Sequence, residues 1–170
     1  KACVQEIEKA MDFAEGYKDF ITAAKTERET VDWTVTAAQA AGFVEYDPEK
    51  KYSAGDKVYY NNRGKAMCLA VIGEKGASKG VRIAAAHIDS PRIDLKPIPL
   101  YESSELALLK THYYGGIKKY QWTAIPLSMH GKVVRKDGSE VVINVGEKEG
   151  DPQFCITDIL PHLGKDQMGK

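Results

Sequence analysis

The chain has no Cys-x-x-Cys or Cys-x-x-His pair, no His-Glu-x-x-His motif and no apolar run long enough to span a bilayer. Its three cysteines, Cys3, Cys68 and Cys155, are dispersed and odd in number. That reads as free thiols in a reducing compartment rather than as a disulfide framework. Neither charge is in surplus: 24 Lys plus Arg face 24 Asp plus Glu. A balanced chain lacks the basic excess of an electrostatic nucleic-acid binder, although a small local patch stays compatible with it. The first residues, Lys1-Ala2-Cys3-Val4, show neither an initiator Met nor the apolar core of a signal peptide. The expectation is a cytoplasmic protein with residues missing upstream, and with neither a membrane nor a nucleic acid among its partners.

What is present reads as an ordinary globular chain, 43% hydrophobic and 28% charged over 170 residues, enough for one or two small domains. Cys3, Ile7, Met11, Ala14 and Tyr17 recur at helical spacing, with Gly16 weakening that helix near its end. Thr26-Glu27-Arg28-Glu29 is a capping box opening a second helix, whose apolar stripe is Val31, Val35 and Ala38 and whose stop is Gly42. From about Asp56 the texture is that of strands: 57–60, a turn at Asn61-Asn62-Arg63-Gly64, and the apolar runs 66–72 and 81–86. Runs without alternation predict strands buried on both faces, in a sheet covered by helices. Lys96-Pro97-Ile98-Pro99 marks a domain transition, so the reading divides the chain into 1–97 and 98–170. The second part is β-like, with strand candidates at 106–109, 121–127, 131–135 and 140–145, a hairpin turn at Asp137-Gly138, and one more ordered segment at 154–160.

The densest chemistry lies in Ala84-Ala85-Ala86-His87-Ile88-Asp89-Ser90-Pro91. Side chains at i and i+2 of an extended chain share a face, so His87 and Asp89 can sit side by side. A metal-ligating imidazole needs its other ring nitrogen held by a carboxylate or carbonyl, and this pair supplies both parts. A histidine that merely bonds locally at a strand end is the alternative for a bare His-x-Asp. His112 reads as a strand residue on a partly exposed face and His130 as a surface residue in a turn. Gly115-Gly116 is a tight backbone passage rather than a phosphate loop, since no Gly-Lys-Ser/Thr follows. Tyr113, Tyr114, Tyr120 and Trp122 read as core or interface aromatics.

Taken in order, Lys25-Thr26-Glu27-Arg28-Glu29, then His87-Ile88-Asp89-Ser90-Pro91-Arg92-Ile93-Asp94-Leu95-Lys96-Pro97, then Tyr114-Gly115-Gly116, then Ile159-Leu160-Pro161-His162-Leu163 resemble the M18 aminopeptidases over nearly the whole chain. The resemblance implies an α/β fold: the N-terminal part of an αβα metallo-aminopeptidase catalytic domain, with the start of an inserted β-rich dimerisation domain. It implies two zinc ions per site in the full-length chain, a peptide substrate, and a homo-oligomer built from dimers. His87 then matches a metal ligand, and Asp89 the carboxylate that orients it. His162 matches a histidine reaching into the partner subunit's active site, where it contacts substrate. The candidate metal ligand is therefore His87, and the candidate catalytic residues are Asp89 and His162. Without the resemblance, His162 reads as a capping or packing residue beside Pro161.

The bridging Asp, the general-base Glu and the remaining ligands of the family lie beyond residue 170, so the expectation is that these residues alone do not hydrolyse peptides. Where many members carry an aromatic segment with an Asp-Arg pair, this chain has Ile117-Lys118-Lys119-Tyr120-Gln121-Trp122-Thr123. That departure bears on a preference for acidic N-terminal residues rather than on hydrolysis. Two other readings stand beside the aminopeptidase: an assembly module without metal, and a dinuclear-metal deacylase, which would accept blocked amines.

Overall fold

The computed structural model describes residues 3–160 and 162–164. The chain divides into two compact units, Lys1–Ser90 and Pro91–Lys170. This division falls just before the long strand that carries the proline pair.

In the first unit, helix α1 (Val4–Ala23) precedes helix α2 (Glu27–Ala40). The backbone N–H of Cys3 donates to the Glu6 carboxylate at 2.9 Å, satisfying one end of α1. α1 runs through Gly16, whose cost in a helix interior is only about 1 kcal/mol, and its Phe20 packs on Trp33 of α2 at 4.9 Å between ring centroids. The expected capping box opens α2: Glu29 N–H donates to Thr26 Oγ1 at 3.3 Å, and Thr26 N–H donates to the Glu29 carboxylate at 2.9 Å. Replacing Thr26 by Ala is expected to cost about 1 kcal/mol, read as a Tm lower by about 2–4 °C in thermal unfolding. Gly42 follows α2 with φ +83°, the left-handed stop its position suggests.

The sheet has the order β1 (Val44–Glu45), β2 (Lys57–Asn62), β3 (Ala66–Val71), with β1 parallel to β2 and β2 antiparallel to β3. The β2–β3 turn is tied by Lys65 N–H to the Asn62 carbonyl and by Gly64 N–H to the Asn61 side-chain oxygen. α2 lies on β2, and the core sits there: Val31, Ala38, Val58 and Tyr59 are buried.

Two expectations fail in this unit. β3 is not buried on both faces, since Leu69 and Val71 are 46% and 60% exposed. Residues 81–86 form no strand and no helix, and Val81 and Ile83 are 66% and 81% exposed. An apolar run states a preference for burial, but a strand also needs a neighbouring strand for its N–H and C=O groups. Among the described residues none pairs with 81–86.

The second unit is built of β-ribbons. β4 (Arg92–Ser103) pairs antiparallel with β5 (Leu106–Tyr114), with a register shift between Leu95 and Leu100. Pro97 and Pro99 lie in that irregular stretch, where a residue without an N–H is tolerated. They thus mark a break in the ladder inside one strand. β6 (Met129–Val134) pairs with β7 (Glu140–Val145) as a regular hairpin. Its turn is held by Asp137, which accepts from the Ser139 N–H and hydroxyl at 2.9 and 2.7 Å. Those two bonds hold the Asp137 carboxyl below its ordinary value.

Residues 121–127 are not the expected strand. A short 3₁₀ turn, Lys119–Gln121, leads into two isolated bridges, Thr123 with Ile156 and Leu127 with Phe154. The positive φ of Ala124, 59°, breaks the extended run between them. No helix among the described residues is long and apolar enough to cross a membrane. Cys3, Cys68 and Cys155 are all free and exposed.

Candidate metal-ligand segment

His87 and Asp89 meet as i, i+2 geometry predicts, although the segment has no strand pairing. His87 Nδ1 lies 2.8 Å from the Asp89 carbonyl oxygen and 3.2 Å from its Oδ1. A carbonyl oxygen can only accept, so Nδ1 carries the proton and donates. In the neutral imidazole Nε2 then keeps its lone pair. Among the described residues Nε2 has no partner, and the side chain is 83% exposed. A metal-ligating histidine needs this arrangement: one nitrogen fixed by an oxygen, the other presented to the ion.

The fit to a zinc ion extends to one donor. Among the described residues no group of three or more His, Cys, Asp or Glu side chains is close enough to hold a metal. A zinc site built around His87 needs further protein ligands, since catalytic zinc takes about three plus a water.

His162 belongs to the second unit. It stands exposed in a turn in which the N–H groups of Leu163 and Gly164 donate to the Leu160 carbonyl. Among the described residues its imidazole has no hydrogen-bond partner, so nothing there makes it a cap. Pro161, beside which a packing role was considered, lies outside the described residues.

His112 sits on β5 and is exposed, as expected. It borders a cleft of about 250 Å³ together with Trp122 and Lys119, below the roughly 300 Å³ at which small-molecule sites begin. His130 corrects the sequence reading. It lies on β6 rather than in a turn, and its side chain is only 8% exposed. Its Nε2 is 3.2 Å from the Glu147 carboxylate and 3.1 Å from Ser128 Oγ. The glycine after it suggested a turn, but the β6–β7 ladder continues through Gly131, paired with Ile143.

The sequence reading also missed an arrangement around Arg92. The Arg92 guanidinium lies 4.1 Å over the ring of Tyr114, its cross-strand partner, and Arg92 Nε donates to Asp94 Oδ1 at 2.8 Å. The i, i+2 spacing of Arg92 and Asp94 was available as a signal. The strand register that brings Tyr114 opposite was not.

The local geometry fits one metal donor, and comparison with known proteins identifies the family. A sequence model of the family described as aminopeptidase I zinc metalloprotease (M18) matches residues 20–170. The chain is 47% identical over 161 residues to a probable M18 family aminopeptidase 1 of Borrelia garinii subsp. bavariensis, covering 95% of this chain and 35% of that protein. It is 45% identical over 170 residues to a probable M18 family aminopeptidase 1 of Clostridium acetobutylicum, covering 98% of this chain and 37% of that one. The crystal structure of aminopeptidase I from Borrelia burgdorferi B31 superposes with a TM-score of 0.88 at 43% identity, over 94% of this chain and 40% of the other. The chain belongs to the M18 family of zinc metalloproteases. It spans a little over a third of the length of the curated relatives it matches.

Proposed function

We propose that these residues are the N-terminal part of a cytoplasmic zinc aminopeptidase, which removes N-terminal residues from peptides at a dinuclear site and works as a homo-oligomer built from dimers. On this reading 1–97 belongs to the catalytic domain and 98–170 to the β-rich dimerisation domain. The observation that carries the proposal is the His87–Asp89 pair, an exposed imidazole with one nitrogen fixed and the other without a partner among the described residues, inside a chain that belongs to a zinc metalloprotease family.

Each residue has a physical role. His87 supplies a metal donor through Nε2. Asp89 holds the tautomer and the ring orientation, and so acts on the metal through His87. Zinc, when bound, polarises the scissile carbonyl and lowers the pKa of a bound water. His162, acting on the neighbouring subunit's site, donates a hydrogen bond to the oxygen that gains charge as the carbonyl is attacked. The remaining ligands and the general base come from residues beyond 170, so the 170 residues alone do not turn over substrate.

A panel of aminoacyl and N-acylated substrates tests the reading on a chain extended to the length of its relatives. Zinc-dependent release of unblocked N-terminal residues is expected. Cleavage of blocked amines instead would make it a deacylase, and no zinc with no turnover would leave an assembly module.

A further inference from the structure

A cleft of about 250 Å³ lies wholly within the second unit, where the β4–β5 ribbon meets the chain that follows it. Four half-buried apolar side chains border it: Ile93 of β4, Ile117, Trp122, and Ile156, which a bridge to Thr123 holds in place. Lys119 and His112 border it as well. Lys119 Nζ lies 4.9 Å over the Tyr113 ring, a contact with the ring face that leaves its N–H groups able to donate. Among the described residues no carboxylate pairs with it. The carboxylate opposite His112 in the ladder, Asp94, is bonded to Arg92 Nε at 2.8 Å. His112 Nδ1 is 3.3 Å from the Tyr113 carbonyl oxygen, which only accepts, so Nδ1 carries the proton. Nε2 of the neutral ring keeps its lone pair and has no partner among the described residues.

A cation, a hydrogen-bond acceptor and an apolar wall in so small a space define the ligand they suit. The space is too small for a cofactor or a drug-sized ligand and is on the scale of one amino-acid residue. A carboxylate answers Lys119 with a charge-assisted hydrogen bond. An N–H answers His112 Nε2, and an apolar side chain answers the isoleucines and Trp122. One residue of a peptide carries all three on the same carbon: the last, when its side chain is apolar. An internal apolar residue has no carboxylate, and an internal Asp or Glu has a carboxylate in place of the apolar group. We propose that this cleft binds the free C-terminus of a peptide whose final residue is apolar. Capture of a terminal carboxylate is a recurring mode of peptide recognition. The inference goes beyond the aminopeptidase reading and does not require it: it concerns the end of a peptide at which an aminopeptidase does not act.

The test is fluorescence polarisation of a pentapeptide ending in leucine, its amine blocked by a fluorescein label, titrated with the protein extended to the length of its relatives. The blocked amine keeps the probe from being an aminopeptidase substrate. The free acid is expected to bind about 10-fold tighter than the same peptide with a C-terminal amide, the difference typical of one hydrogen bond to a charged group. Lys119→Gln should abolish that preference, and Lys119→Arg should keep it. Lys119 is exposed, so neither change disturbs a core. Serine in place of the final leucine should weaken binding of the free acid several-fold, because the apolar wall is left uncovered. Removing zinc with a chelator should leave the order of affinities unchanged, since no side chain bordering the cleft is a proposed zinc ligand.

Equal binding of acid and amide would overturn the inference, as would a preference for the acid that survives Lys119→Gln. So would an amidated peptide ending in glutamate that binds as tightly as the leucine acid, because the cleft would then read any carboxylate. A preference that disappears with the zinc would assign the carboxylate to the metal instead.

Discussion

His87→Ala, in a chain extended to the length of its relatives, is expected to lose zinc and nearly all peptide hydrolysis while staying folded. The side chain is 83% exposed, and among the described residues its hydrogen bonds run to Asp89, so its removal opens no cavity and unpairs no buried group. The loss must then arise from the metal. It should exceed the roughly 10–100-fold cost of removing an outer-shell partner, because a donor bond itself disappears. Asp89→Asn should fall in that smaller range: its carbonyl still accepts from Nδ1, but the carboxylate that strengthens the imidazole as a donor is gone. Zinc stoichiometry by atomic absorption, measured beside kcat, reads both. Unchanged zinc in His87→Ala would remove it from the ligand set.

His162→Ala should show the opposite pattern, with zinc retained and kcat lowered by about 10²–10³, as for loss of one donor to a developing oxyanion. Because this histidine is proposed to serve the partner's site, the two inactive variants should complement one another. In a mixed dimer the His162→Ala subunit still holds metal, and its His87→Ala partner still supplies His162. Equal mixing with random pairing should restore about a quarter of wild-type activity, since half of the dimers are mixed and each has one working site. Activity that stays at the level of the single variants would place His162 in its own subunit's site. Full activity of His162→Ala alone would deny it any role.

Local signals proved legible where one stretch of chain contains both halves of an interaction. The Thr26–Glu29 capping box, the Gly42 stop, the Asp137–Gly138 turn and the His87–Asp89 pairing all depend on residues within four positions of one another, and all are present. Signals needing a distant partner were not legible. Residues 81–86 are apolar enough for a buried strand, but the strands to flank them are not among the described residues. The irregularity in which Pro97 and Pro99 lie belongs to the β4–β5 register, a property of two strands rather than one. Gly131 suggested a turn at His130 until its pairing with β7 is known. The Arg92–Tyr114 stack is likewise set by register.

The candidate site was legible to the same degree. The proposed ligand His87 and its orienting carboxylate Asp89 lie two positions apart in sequence, while a metal centre as a whole gathers donors from separated elements.

The central claim is that His87 Nε2 binds a catalytic zinc ion. The most direct measurement is anomalous X-ray diffraction at the zinc edge from crystals of the relative-length protein. The account predicts an anomalous peak about 2.0–2.1 Å from Nε2, on the ring edge opposite Asp89. Strong zinc peaks elsewhere, with His87 still exposed and uncoordinated, would contradict it.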